Sequence, residues 1–195
     1  MTKTRIANLI SDGLNPLAAG LIILGLVASE AAGSAVEALK WFIAVTGLCF
    51  VPPLLIAVYL VRTGRMDALF SNRRHQRHRI YVVGLFFNVL GIFILTWLNA
   101  PQLLTAALIA GLASIVSFAF INLWWKISVH ASTVAALVTV LHLLYGAWAV
   151  PSLSLIPLMG WARVHLGQHT AAQVAIGSAL SSLIVLIIFT RYGGI

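Results

Sequence analysis

Apolar residues run along this chain in long blocks separated by short polar breaks. Neither the strict alternation of a half-buried strand nor the narrow apolar stripe of a soluble helix interrupts them. Seven blocks can be delimited: Leu14 to Ala28, Val36 to Val61, Ile80 to Leu98, Gln102 to Trp124, Ser128 to Val150, Pro151 to Ala162, and Thr170 to Thr190. Crossing a hydrocarbon core of about 30 Å takes about 20 residues of helix, so each block predicts a transmembrane segment. The first is the weakest, and the count falls to six if it lies in the interface. Pro52 and Pro53 predict a kink within the second block, and the turn Asn99-Ala100-Pro101 predicts a hairpin between the third and fourth. The expected fold is all-α, a polytopic transmembrane helix bundle forming a single domain over 1–195 with a basic loop at 62–79.

Composition agrees with this pattern. Hydrophobic residues make up 61% of the chain and charged ones 8%, against about a quarter charged in a soluble domain. The single cysteine, Cys49, rules out an intrachain disulfide. The polar start is not followed by a short apolar core and a small-residue cleavage site, so the first helix is expected to be retained. Of twelve lysines and arginines, ten fall on one side of the seven-block topology: Lys3, Arg5, Arg62, Arg65, Arg73, Arg74, Arg77, Arg79, Lys126 and Arg163. Lys40 and Arg191 share the other side with Glu30 and Glu37. Cytoplasmic loops carry the basic excess, so a multi-pass cell-membrane protein with its basic side cytoplasmic is expected. The net charge of +8 and the pI near 10.6 suit anionic headgroups, whereas no aromatic-interleaved basic surface suggests a nucleic-acid partner.

Two turns on the basic side concentrate ionisable groups. One is Trp124-Trp125-Lys126-Ile127-Ser128-Val129-His130, and the other runs Trp161-Ala162-Arg163-Val164-His165-Leu166-Gly167-Gln168-His169-Thr170. Charged and imidazole groups at membrane depth are costly and by default face a cavity or a bundle interior. Arg and Lys clamp phosphate oxygens, helix N-termini add N–H groups, one histidine can attack phosphorus and a second can protonate the leaving alkoxide. Gln173 lies one turn beyond His169, so that its carbonyl accepting from Nδ1 would leave Nε2 free to attack. His130, His165 and His169 lack the spacing of a zinc motif, and no Gly-rich nucleotide loop is present, so no metal or cofactor is expected.

At these residues the chain resembles the type 2 phosphatidic acid phosphatase superfamily, which includes lipid phosphate phosphatases. That family's third motif reads Ser-Arg, five residues, His, three residues, Asp; here Ala162-Arg163 is followed after five residues by His169 and after three more by Gln173. Its second motif reads Pro-Ser-Gly-His, and Ser128-Val129-His130 keeps the Ser and the His. Its first motif, a Lys with Arg-Pro downstream, has Arg74, Arg77 and Arg79 as candidates, none followed by Pro. The resemblance runs from the basic loop to the last helix. It implies a metal-independent hydrolase of lipid or polyprenyl phosphates, with His169 as nucleophile forming a phosphohistidine and His130 as general acid. Arg163, Ser128 and members of the Arg74, Arg77 and Arg79 group would hold the phosphate. Lys126 lies outside the family's short second motif but close enough to join the clamp.

The departures set the competing expectation. Gln173 lacks the negative charge with which Asp would stabilise a histidine becoming cationic, and loss of an orienting carboxylate costs about 10⁴ in rate in triad enzymes. A non-catalytic lipid-phosphate binder or transporter is therefore the alternative, unless the charge of Lys126 compensates. Elsewhere structural roles are expected: His142 packed mid-helix, His165 structural or interfacial, Trp124, Trp125 and Trp161 in an interfacial belt, and Gly177, Ser178, Ser181 and Ser182 in close helix packing.

Overall fold

A computed structural model describes residues 2–71 and 73–194, the side chain of Arg74 excepted. Among these residues all regular structure is helical. Helix α1 (Lys3–Gly13) meets α2 (Pro16–Ala31) at a 43° bend. Asn15 makes the bend stable. Its side chain accepts the Ala18 N–H at 3.0 Å, while Pro16, with no N–H of its own, suits the first turn of α2.

The second apolar block forms α3 (Ala35–Val45), a π-helical turn at Thr46–Phe50, and α4 (Val51–Arg62). In place of the kink expected at Pro52 and Pro53, the structure has this turn just before them, within one continuous 28-residue stretch, Ala35–Arg62. Pro52 and Pro53 cannot donate to the carbonyls of Leu48 and Cys49, so the α-helical ladder cannot run through them, and the Val51 N–H reaches back to Thr46 instead. Helices α5 (Arg74–Trp97) and α6 (Gln102–Ile121) form the predicted hairpin, with Asn99 turning the chain at a φ of 52°.

The remainder comprises α7 (Val129–Tyr145), a 3₁₀ segment at Gly146–Ser154, α8 (Leu155–His165) and α9 (Ala171–Tyr192). Five helical stretches are long and apolar enough to cross a membrane, or six if the bent α1–α2 pair counts as one span. The expectation of seven differs at Val129–His165, a single 37-residue apolar stretch by length and composition. Gly146, at a φ of 55°, breaks it, and α8, only 11 residues long, folds back against α7. Hydropathy separated two blocks here; the second is too short to span as an α-helix alone, and the 3₁₀ segment and α8 together bring the chain back to the end where α7 begins.

Helices α7 and α9 make the closest helix pair. Gly177 permits it: a Cβ there would lie 2.6 Å from the Ser132 hydroxyl and 3.2 Å from the Ser128 carbonyl. Ser178 and Ser181 are buried in α9, as close packing requires, and the Ser178 hydroxyl donates to the Ala131 carbonyl at 3.4 Å. The Ser128 N–H donates to the Gln173 carbonyl at 3.4 Å, which sets the register of the two helices and brings both histidine-bearing turns to one end of the bundle.

Candidate functional site

His169 is held by the turn between α8 and α9. The N–H groups of Gln168 and His169 donate to the Arg163 carbonyl at 3.1 and 3.3 Å, and Gly167 takes the left-handed φ of 64° that closes the turn. Thr170 and Gln173 then form a capping box: the Thr170 hydroxyl accepts the Gln173 N–H at 3.3 Å, and Gln173 Oε1 accepts the Thr170 N–H at 3.2 Å.

This box settles the state of the imidazole. A backbone N–H can only donate, so the Gln173 atom facing it is the amide oxygen. The same Oε1 lies 3.1 Å from His169 Nδ1, which must therefore carry the hydrogen. Nε2 is left with its lone pair. Burial first, then the charge of Lys126, push the His169 imidazole down to about 3; Arg163 and Arg77 act in the same sense and the Gln173 hydrogen bond opposes them. At neutral pH the ring is uncharged.

Around one cavity of about 430 Å³ the structure brings His169 together with His130, Arg77 and Arg163. His130 is 6% exposed, and the edge of Phe70 packs against its ring at 5.1 Å between centroids. Arg163 is 4% exposed; its Nη1 donates to the Ser11 hydroxyl at 2.7 Å, and its Nε has no hydrogen-bond partner among the described residues. Arg77 donates from Nε to the Ser71 carbonyl at 2.8 Å and from Nη1 to the Ile127 carbonyl at 3.1 Å, tying α5 to both loops of this end. Among the described residues no Asp or Glu lines the cavity. Among the described residues the one ion pair, Arg73 with Asp67 at 4.0 Å, lies on the loop surface.

The remaining candidates take other places. Lys126 stands behind His169, donating from Nζ to the Gln168 carbonyl at 2.7 Å; burial lowers its pKa, with the charges of Arg77 and Arg163 adding to the effect. Ser128 caps α7, its hydroxyl accepting the Ala131 N–H at 3.4 Å, and does not line the cavity. Arg79 turns outward and donates to the Arg65 carbonyl at 3.2 Å, because two positions along α5 from Arg77 is the opposite face of a helix. The Arg74 side chain lies outside the described residues. His165 is exposed, stacks on Trp161 at 5.3 Å and meets the Thr4 hydroxyl at 3.4 Å, a structural setting. His142 is held by its own helix, with Nδ1 2.8 Å from the Val138 carbonyl.

Ser11, Ser71, Phe70 and the Ile127 carbonyl are site components that the sequence did not disclose. Ser11 reaches Arg163 across 152 positions, and no spacing rule connects such residues. Among the described residues no group of three His, Cys, Asp or Glu side chains gathers as a metal would require.

Taken with the apolar helices, this geometry is that of a multi-pass membrane protein with a chamber at one end of its bundle lined by two arginines and two histidines. Comparison with protein-family models, with curated proteins and with solved structures found no match.

Proposed function

We propose that the protein is a metal-independent phosphatase of membrane lipid phosphates or polyprenyl phosphates, hydrolysing a phosphomonoester or diphosphate through a phosphohistidine. The observation that carries this reading is the pairing, around one cavity, of two guanidinium groups that, among the described residues, have no carboxylate within ion-pair distance, and an imidazole held as the Nδ1–H tautomer. A buried cation without a contacting counter-ion is costly, and a phosphate group supplies the contact with oxygens that a guanidinium can bind in pairs.

In the proposed reaction, Arg77 and Arg163 hold the phosphoryl oxygens. The His169 Nε2 lone pair attacks phosphorus, the bond from phosphorus to the ester oxygen breaks, and His130, protonated by the proton that a phosphate monoanion carries into the chamber, gives that proton to the departing alkoxide. Water then attacks the phosphohistidine, His130 takes the water proton, and the P–N bond breaks to release phosphate and neutral His169. Throughout, Nδ1–H remains on Gln173, which positions the ring. The basic side, with this site, faces the cytoplasm in the proposed orientation.

The alternative is a lipid-phosphate binder or transporter, favoured by the uncharged Gln173 partner, which stabilises a cationic imidazole less than a carboxylate would. Phosphate release from phosphatidic acid, phosphatidylglycerol phosphate and polyprenyl mono- and diphosphates distinguishes the two. A phosphatase releases phosphate and loses at least about a thousandfold in kcat on His169→Ala; a binder retains lipid affinity and releases nothing from any member of the panel.

A further inference from the structure

The cavity does not end at the cationic groups. On α5 its wall continues from Arg77 through Ile80, Tyr81 and Gly84 to Asn88, on α7 from Val129 to Val140, and on α6 from Phe118 back to Ala107. Each of these stretches advances eleven positions, from 77 to 88, 129 to 140 and 107 to 118, or about 16 Å of helix rise. The register of Ser128 with Gln173 is an offset of 45 positions, which puts Val185 of α9 level with Val140; Phe189, one turn deeper and 1% exposed, closes the floor there. Cys49 and Phe50 of the π-turn border the chamber from the α3–α4 side. The chamber is thus cationic at its mouth and mostly apolar from there to about the middle of a 30 Å hydrocarbon core, with Asn88, Ser114 and Ser181 among its deeper polar groups.

From this we infer that the chamber holds a single hydrocarbon chain inside the helix bundle, tail toward Phe189 and phosphate at Arg77 and Arg163, so that the substrate is a one-chain alkyl or prenyl phosphate. The inference rests on the reading of the cationic mouth as a phosphate site. Size selects the class. An extended chain with bonds of about 1.5 Å gains about 1.25 Å per carbon, so about 16 Å takes about twelve to thirteen carbons. At about 30 Å³ for each methylene-sized group, the volume of a water molecule in the liquid, 430 Å³ holds about fourteen such groups. Length and volume therefore agree on one chain and its phosphate, and the second tail of a diacyl lipid would have to lie outside the chamber. Charge complementarity fixes its direction, because both guanidinium groups lie at the mouth and the deep end has no charged side chain.

Photo-crosslinking in lipid nanodiscs tests this with full-length protein and two alkylphosphonates, one carrying a diazirine at carbon 3 and the other at carbon 11, the adducts being located by mass spectrometry. The carbon-3 probe is expected to mark Phe70, Tyr81 or Thr133, and the carbon-11 probe Asn88, Val140 or Phe189. Ser114→Trp, which plugs the chamber halfway, should reduce floor labelling by the carbon-11 probe at least fivefold. Labelling by that probe confined to the outward residues Val82, Phe86 and Phe93, which are 61 to 70% exposed, would overturn the inference; so would floor labelling insensitive to the plug in a variant that still folds. A failure of the phosphatase reading is distinguishable. Floor labelling without phosphate release upholds the chamber and removes catalysis, whereas phosphate release without floor labelling removes the chamber and leaves catalysis standing.

Discussion

Thr170 has an influence that its place outside the cavity hides. By donating its N–H to Gln173 Oε1 it fixes the amide, and through the amide the tautomer of His169. A glutamate at 173 keeps both acceptor contacts and adds the charge that a cationic imidazole lacks, so Gln173→Glu is expected to raise kcat for phosphate release at least tenfold. Gln173→Leu, which removes the acceptor, should lower kcat. Ser11 is a positioning residue. Ser11→Ala removes one hydrogen bond from buried Arg163, worth about 1 kcal/mol or about fivefold, and this is expected in KM with kcat little changed. Acid should act through His169 itself. Its pKa is about 3 in the folded protein against about 6.5 unfolded, so between these values the unfolded chain binds the extra proton. Stability from this residue is full above about 6.5 and falls as the pH drops toward 3. The thermal midpoint in detergent should accordingly decline over that window, and less steeply in His169→Gln.

At the scale of elements, the contact of α7 with α9 sets the relation between the two histidine-bearing helix starts. Gly177 lies within it, and a Cβ would collide with the Ser132 hydroxyl and crowd the Ser128 carbonyl, one of them backbone. Gly177→Ala should therefore cost about 1–3 kcal/mol, seen as a lower thermal midpoint, and should reduce phosphate release as the register shifts. The element pattern also explains what hydropathy left open. A mean over apolar residues marks Pro151 to Ala162 as another crossing, but it cannot foresee that Gly146 bends the chain and that the return to the end where α7 begins is shared between a 3₁₀ segment and a helix of 11 residues. The π-turn at Thr46–Phe50 was legible only as a break near two prolines, because its hydrogen-bond partners depend on the turn actually adopted.

For the whole molecule, the basic excess predicts how the bundle sits. The exposed loop residue Ala68, replaced by cysteine in a background lacking Cys49, should be protected from an impermeant thiol reagent in intact cells and react once the membrane is permeabilised. Labelling in intact cells would reverse the proposed orientation. Apolar run length, proline and glycine positions and the imbalance of lysine and arginine are local properties, and they were enough to establish an all-helical membrane bundle, its hairpin and its polar end. His169 and Gln173 were legible as a pair for the same reason, since four positions along a helix start is a distance that the backbone dictates. Tertiary structure alone decided that Arg77 faces the chamber while Arg79 faces away, that Ser11 supports Arg163, that Ser128 serves as a cap, and that an apolar chamber continues beneath the cationic mouth. Those outcomes depend on how helices distant in the chain pack against one another, and the space left between packed helices belongs to no single segment of sequence.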